Sequence, residues 1–362
     1  MRIIIKYGAL ICSLLFAALL LFCNTIPNTN PYELSFAGVL SFFAPIFAVL
    51  NFAFLVFWIL FKKIKYAIIP LAALFFSWNI YASIFALHIF NKQSFETNLN
   101  QINVMSYNVR LLNLYKWNKD TNTRRKIIEM FAEQNPTVLC LQEFYNGNDS
   151  IGVNNIQDIM DACQYKYFAT CDINTTKRGK WGCVVFSHLP IVKMQNHDID
   201  VYGNNLLQQV DILLKNETIH LFNVHLKSNR FTSNESDAIM NIEKVQLKEN
   251  SIHIFKKLRR NAIGRGLEAA LVSKIISSQK GNVIVCGDFN DIPSSYVYFK
   301  MRNNLSDSFL ENDLGVGSTF ISKIPLLRID YILHSKKIKC LGYKKLKYKY
   351  SDHYPIMANF KI

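Results

Sequence analysis

Three long apolar runs occupy the first ninety residues, and short apolar runs separated by polar segments occupy the rest of the chain. The long runs cover residues 3–23, 36–61 and 66–90. Each reaches the roughly 20 residues with which a helix crosses a ~30 Å hydrocarbon layer. We therefore predict an all-α transmembrane region of three helices in residues 1–92. Pro45, Asn51 and Asn79 interrupt these runs, and we expect them to face neighbouring helices because polar groups in lipid need partners.

The basic residues around the apolar runs predict an orientation. They precede the first run and separate the second from the third, at Arg2, Lys6, Lys62, Lys63 and Lys65. The positive-inside rule then places the C-terminal part outside the cytoplasm, in a multi-pass protein of a bacterial inner membrane. Two alternatives stay open: a cleaved signal peptide at residues 3–23, and a count of two spans, which reverses the orientation.

After residue 92 the pattern changes to strand-like runs mixed with helical periodicity, which predicts an α/β (α+β) domain over residues 93–362. The strand-like runs cover residues 102–108, 138–141, 183–186, 219–226, 283–289, 329–333 and 356–360. Helices are predicted at residues 123–133 and 267–278. Residues 228–260 are polar and suit a long loop followed by a basic helix.

Composition and charge narrow the class of protein. Half of the residues are hydrophobic and 19% are charged, which excludes a disordered chain. Five basic and one acidic side chains precede residue 91, whereas 36 basic and 25 acidic ones follow it. The resulting net charge of +11 on the C-terminal part suits an anionic partner, either a nucleic-acid backbone or anionic lipid. A solvated face or an edge strand explains the lysines of residues 336–349 equally well.

The cysteines have no metal-binding spacing. Cys140 and Cys286 lie in strand-like runs, where cysteine behaves as a small apolar residue. A disulfide among Cys163, Cys171, Cys183 and Cys340 stays open.

Acidic, amide and histidine residues recur where the strand-like runs end. They are Asn108, Glu143, His225, Asp288, Asn290, Asp330, Asp352 and His353. Because loops at strand ends usually carry active sites, we expect these side chains to converge. Each residue alone has an ordinary structural explanation, such as a turn, a helix cap or a core histidine. The ordered set favours catalysis.

This combination of residue types favours phosphate-ester hydrolysis. A phosphodiester is anionic and repels hydroxide, so its hydrolysis needs a divalent cation, a base for water and donors for the phosphoryl oxygens. Glu143 and Asn108 offer hard oxygen ligands suited to Mg²⁺, with Mn²⁺ as the other candidate ion. Asp330 would hold the His353 imidazole protonated or correctly oriented.

The ordered set over residues 101–362 resembles the endonuclease/exonuclease/phosphatase superfamily, which includes deoxyribonucleases, abasic-site endonucleases, sphingomyelinases and inositol-polyphosphate 5-phosphatases. The most specific motifs are Gly287-Asp288-Phe289-Asn290 and Ser351-Asp352-His353-Tyr354-Pro355. The resemblance implies a four-layer sandwich of two β-sheets flanked by helices.

The resemblance also implies a role for each site residue. Metal binding falls to Asn108, Glu143 and Asp352. Asp288 positions or deprotonates the attacking water, and Asn290 holds the phosphate. His353, paired with Asp330, contacts the phosphoryl group, and His225 adds a donor.

Departures from the family pattern leave the branch open. Arg110 stands where some abasic-site enzymes have an acidic residue, and Asn223-Val224-His225 is nearer to the deoxyribonuclease and sphingomyelinase branches. We expect a membrane-anchored phosphodiesterase with a nuclease-like substrate. The alternatives are a phospholipid, sphingomyelin or phosphoinositide esterase and, less favoured, a non-catalytic membrane scaffold. The expected partners are an anionic phosphoester and the lipid bilayer; no protein partner can be inferred.

Overall fold

The computed structural model describes residues 3–88, 94–95, 100–148, 152–199, 206–228, 247–322 and 327–362. The chain divides into two compact units. One contains Met1–Phe85, Asn229–Gly266 and Asp291–Lys300, and the other contains Ala86–Ser228, Leu267–Asn290 and Met301–Ile362. The domain boundary at residue 92 stays a prediction. The assignment of Asn229–Gly266 and Asp291–Lys300 to the helical unit was not predicted. Most of the predicted loop, residues 229–246, lies outside the described residues.

Apolar helices make up most of the first unit. They are α1 (Ile3–Cys23), α2 (Ala37–Leu40), α3 (Ala44–Leu60), α4 (Ile64–Phe76) and α5 (Trp78–Ile84). Small side chains pack where α1, α3 and α4 meet, because Ala17, Ala48 and Ala73 are buried together. Asn51 is buried, and its amide donates to the carbonyl oxygen of Phe16 on α1 at 2.9 Å, as predicted for a polar group on an apolar helix. Pro45 is also buried.

The structure corrects two predictions for this region. The Asn79 side chain is exposed rather than packed on a neighbouring helix. The single helix predicted over residues 66–90 is broken at Ser77, which leaves the helical conformation at φ −96° and ψ 17°. Its hydroxyl donates to the Leu20 carbonyl oxygen at 3.3 Å. α5 ends at Ile84, strand β1 (Ala86–Leu87) follows, and residues 89–90 lie outside the described residues.

Two helical stretches, Ile3–Asn28 and Ala37–Leu60, are long and apolar enough to cross a membrane. α4 and α5 reach this length only together, and the chain bends by 60° between them. Within the described residues, the number of apolar helices that could span a membrane is therefore two, or three if the bent pair forms one broken span.

The second unit contains the remaining strands. They are β2 (Gln101–Asn108), β3 (Val138–Gly147), β4 (Tyr167–Thr176), β5 (Gly179–Ser187), β6 (Ile191–Asp198), β7 (Leu206–Leu214), β8 (Glu217–His225), β9 (Asn282–Asp288), β10 (Ser306–Asp307), β11 (Leu314–Gly315), β12 (Asp330–His334), β13 (Lys339–Lys345) and β14 (Ile356–Lys361). They form two six-stranded sheets with the orders β13-β14-β2-β3-β5-β4 and β10-β12-β9-β8-β7-β6. β2 is parallel to β3 and β8 is parallel to β9. β1 and β11 form a separate two-stranded ribbon.

The second unit also holds helices α6 (Thr123–Gln134), α7 (Asn155–Cys163) and α10 (Ser308–Asn312). α8 (Leu247–Ser278) and α9 (Tyr296–Arg302) contribute residues to both units. The predicted basic helix and the helix predicted at residues 267–278 are thus one element, α8.

The core of the second unit follows from strand alternation. Val104 on β2 belongs to a cluster with Val210 and Ile284 of the other sheet, so it faces the space between the sheets. Met105, the next residue, packs on the opposite face with Ile127 of α6. Fully burying one such side chain contributes about 1.5–3 kcal/mol. The predicted α/β class, with two sheets flanked by helices, is confirmed.

Candidate active site

Strand register places three of the predicted site residues side by side in one sheet. His225 on β8 lies opposite Asp288 on β9, and Asp330 on β12 lies opposite Asp288 from the other side. Gly287 permits this close pairing, because its φ is +137° and a Cβ there would lie 1.9 Å from the Val224 carbonyl oxygen. Since only glycine fits such a position, the Gly-Asp sequence is a requirement of strand packing.

The other sheet contributes Asn108 and Glu143. Asn108 ends β2 level with Gln142 on β3. The pairing of β3 with β5 shifts register around Glu143, whose φ is 47°. A bulge of this kind re-aims a side chain. The Asn108 amide donates to Glu143 Oε1 at 3.3 Å, and the same oxygen lies 3.5 Å from His225 Nε2.

Asp288 lies at the centre of the group, with 1% of its side chain exposed. The Asn108 amide donates to its Oδ2 at 3.0 Å, and the Asn290 backbone N–H donates to its Oδ1 at 2.8 Å. Two imidazoles also face this carboxylate: His353 Nε2 is 3.7 Å and His225 Nε2 is 3.8 Å from Oδ2. The carboxylate is therefore fixed in orientation between two hydrogen-bond donors and two histidines.

His353 and Asp330 form a buried pair. His353 Nδ1 lies 2.9 and 3.1 Å from the two Asp330 carboxylate oxygens. The Thr319 hydroxyl accepts from the backbone N–H groups of Ile329 and Asp330 at 3.0 and 3.1 Å, which holds the start of β12. The His353 ring is thus oriented by Asp330, and its other nitrogen is directed at Asp288.

Burial and the neighbouring charges raise the pKa values of both His353 and Asp288. Burial lowers the pKa of His353, but the carboxylates of Asp330 and Asp288 outweigh it and raise the pKa to about 10. Burial raises the pKa of Asp288 to about 6, with the charges of His353 and Asp330 acting in opposite directions. At neutral pH the site therefore holds an imidazolium beside a carboxylate that is largely ionised.

Asn290 and Asp352 make different contacts from those of the central group. Asn290 adopts a φ of 53°, and its amide donates to the Leu226 carbonyl oxygen at 3.0 Å. Asp352 pairs with Arg110, Oδ2 to Nη1 at 3.1 Å. The structure thus brings six of the eight side chains into direct contact, joins Asn290 to Asp288 through its backbone N–H, and directs Asp352 toward Arg110. The roles of all eight residues stay predictions.

A buried polar network behind the site was not predicted. The Gln142 amide donates to Asn223 Oδ1 at 2.7 Å, and the Asn223 amide donates to Gln208 Oε1 at 3.1 Å. Gln142 precedes Glu143, and Asn223 lies two residues before His225, so the network links the two sheets beside two site residues. The sequence signal that could have revealed this network is the presence of polar residues within otherwise apolar strands.

Two groups of residues are candidates for a metal ion. Among the described residues, Asp288, Asp330 and His353 place one potential ligand atom each within 4.8 Å of one another. This group does not fit a cation, because both His353 nitrogens face carboxylates and its raised pKa keeps both protonated. Glu143 fits better, since its side chain is 34% exposed and carboxylate oxygen suits a hard cation. Asn108 directs its amide nitrogen at the carboxylates, so its assignment as a ligand stays a prediction.

Comparisons with known proteins identify the family of the chain. Residues 105–353, more than half of the chain, match the model of the endonuclease/exonuclease/phosphatase family. The chain belongs to this family. Accordingly it is a hydrolase that acts on phosphate ester bonds, and the family generally uses divalent metal ions. Residues 2–84 match the model of a domain of unknown function. The comparison with curated proteins gives no match.

Solved structures show the same fold at low sequence identity. A family member from Beutenbergia cavernae is 14% identical over 73% of this chain and 72% of its own, with a TM-score of 0.52. The human Nocturnin catalytic domain with bound sulfate is 20% identical, covering 74% of this chain and 97% of that one, with a TM-score of 0.52. ANGEL2, a 2′,3′-cyclic phosphatase, is 16% identical over 75% and 99%, with a TM-score of 0.50.

Proposed function

We propose that the chain is a membrane-anchored, Mg²⁺-dependent phosphodiesterase whose substrates contain nucleotides. The observation that supports this most directly is the Asp288 carboxylate, which two hydrogen-bond donors fix in orientation beside His225 and the charged His353–Asp330 pair. A base for water and cationic donors for phosphoryl oxygens are the protein groups that phosphodiester hydrolysis needs.

The reaction assigned to these residues is an in-line displacement. Asp288 accepts a proton from water as the water oxygen forms a bond to phosphorus, and the ester P–O bond on the opposite side breaks. The His353 imidazolium and His225 stabilise the negative charge that develops on the phosphoryl oxygens. The departing alkoxide takes a proton from solvent. Asp330 keeps His353 charged and oriented toward the phosphate, and the Asn108 amide holds the carboxylates of Asp288 and Glu143 in position.

Glu143 is the residue we assign to hold the divalent cation, with Asn108 and Asp352 as the further predicted ligands. When bound, the ion would supply Lewis-acid polarisation of a phosphoryl oxygen. Mn²⁺ remains the second candidate, because oxygen ligands accept both ions.

Two observations support the anchor and the substrate class. The helical stretches Ile3–Asn28 and Ala37–Leu60 are each only 28% buried over their most apolar part, so most of their apolar surface faces outward, as in helices that contact lipid. ANGEL2, a relative by fold, was solved with adenosine-2′,3′-vanadate, which supports a nucleotide substrate for this chain as well. The net charge of +11 on residues 91–362 is compatible with such an anion.

The test is hydrolysis of bis(4-nitrophenyl) phosphate by the full chain in detergent, with and without Mg²⁺. We expect turnover with Mg²⁺ that EDTA removes, and loss of at least 100-fold in Asp288→Asn, the range that a general base contributes. Asp211→Asn is the matched control, because Asp211 is a buried carboxylate paired with His220 at 2.8 Å in the same sheet. Equal rates in EDTA, or in Asp288→Asn, would contradict the proposed function.

A further inference from the structure

The segment after Asn108 has an unusual backbone. Arg110, Leu111, Leu112 and Asn113 have consecutive positive φ values of 43°, 57°, 52° and 63°. None is glycine, and the left-handed conformation brings the Cβ of each residue close to the following carbonyl oxygen. Such strained segments persist only where the surrounding structure enforces them, and they cluster at functional sites.

Asparagine side chains hold this segment in place. The Asn113 amide donates to the carbonyl oxygens of Asn118 and Asp120 at 3.1 and 3.3 Å, and its Oδ1 accepts from the Asn118 N–H at 2.9 Å. Asn118 Oδ1 accepts in turn from the Asp120 N–H at 3.2 Å. The loop of residues 110–120 is therefore pre-organised and presents its side chains in a fixed arrangement.

This loop forms one wall of a cleft of about 410 Å³, within the size range of small-ligand sites. The side chains lining it include Arg110, Trp117, Lys119, Ile321, Tyr350 and Asp352. Trp117 is 52% exposed although it is a large aromatic residue. The Arg110 guanidinium lies 4.5 Å from the centre of its ring, and the Arg110–Asp352 ion pair holds that guanidinium.

The cleft adjoins the candidate active site through Asp352, which lines it. Asp352 directly precedes His353, and the Ser351 hydroxyl lies 2.9 Å from the Asn108 carbonyl oxygen and 3.0 Å from Asp352 Oδ1. Arg110 is two residues from Asn108, and its N–H donates to Asn108 Oδ1 at 3.1 Å. A group attached to a phosphate at the active site would therefore reach the cleft.

We propose that this cleft binds the nucleobase next to the scissile phosphate, with Trp117 as the surface on which the base stacks. The inference rests on the proposed function and specifies its substrate. An exposed indole on a rigid loop offers a planar ring a contact at little cost in conformational entropy. The guanidinium already on the indole disfavours a second cation there, which argues against a choline headgroup. Lys119 adds positive charge at the rim for the neighbouring phosphate.

The test compares two substrates with the same leaving group. Thymidine 5′-(4-nitrophenyl) phosphate carries a base, and methyl 4-nitrophenyl phosphate does not. In Trp117→Ala we expect kcat/KM for the thymidine ester to fall about 5- to 150-fold, the loss of stacking one base, while the methyl ester changes less than about twofold. Trp117→Phe should restore most of the difference. Phe168→Ala is the matched control, because Phe168 is 48% exposed on β4 and does not line the cleft.

The outcomes separate this inference from the proposed function. Hydrolysis of both esters with equal losses in Trp117→Ala would overturn the base-stacking site and leave the phosphodiesterase intact. An equal or larger loss for 4-nitrophenyl phosphorylcholine would assign the cleft to a lipid headgroup and also overturn it. If the wild type hydrolyses neither ester, the proposed function fails. Calorimetric binding of thymidine 5′-monophosphate then decides whether the cleft binds a nucleobase. Binding that Trp117→Ala weakens supports the site, and binding that it leaves unchanged overturns it.

Discussion

Replacing Asp330 with asparagine is the sharpest perturbation of the site, because it removes one charge and retains an oxygen that can accept from His353. The wild-type pair is buried, with Nδ1 and Oδ2 2.9 Å apart and only 6% and 3% of the two side chains exposed. Asp330 is the largest of the influences that raise the pKa of His353 to about 10. Its removal should therefore lower that pKa more than the loss of any other neighbour.

The magnitude follows from Coulomb's law. Opposite unit charges about 4 Å apart interact with about 4 kcal/mol at an effective dielectric constant near 20. One pKa unit corresponds to about 1.4 kcal/mol, so Asp330→Asn should lower the pKa of His353 by about 3 units, to about 7. His353 acts in its protonated form, so activity is lost as the pH rises through its pKa. We expect the alkaline limb to move from near pH 10 in the wild type to near pH 7 in the variant.

The assay is the pH dependence of kcat/KM for bis(4-nitrophenyl) phosphate at saturating Mg²⁺, which reports groups of the free enzyme. Released product is quantified after quenching at one fixed alkaline pH. Asp211→Asn, which removes the charge beside His220, should leave the alkaline limb in place. An alkaline limb of Asp330→Asn within about one unit of the wild-type limb would refute the assignment of His353 as the cationic donor held by Asp330.

Three further predictions concern packing and topology. Alanine at Gly287 or at Gly281 should cost about 1–3 kcal/mol of stability, because both residues have a positive φ. Gly287→Ala should cost more than Gly281→Ala, because only the Cβ at position 287 would collide with a backbone atom. Urea unfolding midpoints of the two variants measure the difference. Asp307→Ala should cost about 3–5 kcal/mol, since Asp307 pairs with Arg328 at 2.6 Å and both are 1% exposed. Asp172→Ala, at the exposed Lys180 pair, should cost below about 1 kcal/mol by thermal unfolding. An alkaline phosphatase fused to the C-terminus should be active in cells, because the C-terminal part is predicted to lie outside the cytoplasm. An inactive fusion present at normal abundance would contradict that orientation.

The sequence predicted the central strands better than the outer ones for a physical reason. β2, β3, β8 and β9 are buried on both faces over most of their length, and each contains a short apolar run that marks it in the sequence. β6 is the last strand of its sheet, and its residues are mostly exposed, so it has no apolar run to detect. β7 was missed because Gln208 and Gln209 interrupt it. Both glutamines are buried, and Gln208 belongs to the polar network between the sheets.

The convergence of the site residues was predictable, but their pairwise geometry was not. Placing polar residues at strand ends follows from the alternation pattern, and a parallel pairing of β8 with β9 sets His225 opposite Asp288. The direction of Glu143 depends on a register shift between β3 and β5, which pattern analysis does not encode. The pairing of Asp352 with Arg110 depends on the left-handed turn at residues 110–113, for which no glycine or proline gave a signal.

Net charge gives weaker support for a nucleic-acid substrate than the sequence suggested. Several of the lysines in residues 336–349 lie on β13, an edge strand. An edge strand was one of the two structural explanations for these lysines that did not involve a ligand. Lys345 donates to the Ser318 carbonyl oxygen at 2.7 Å, and the Lys344 ammonium lies 4.5 Å from the Phe95 ring. These two charges are therefore engaged within the protein. The choice between a nucleotide and a lipid headgroup consequently depends on the cleft beside Asp352, where one exposed indole distinguishes a planar base from a flexible or cationic group.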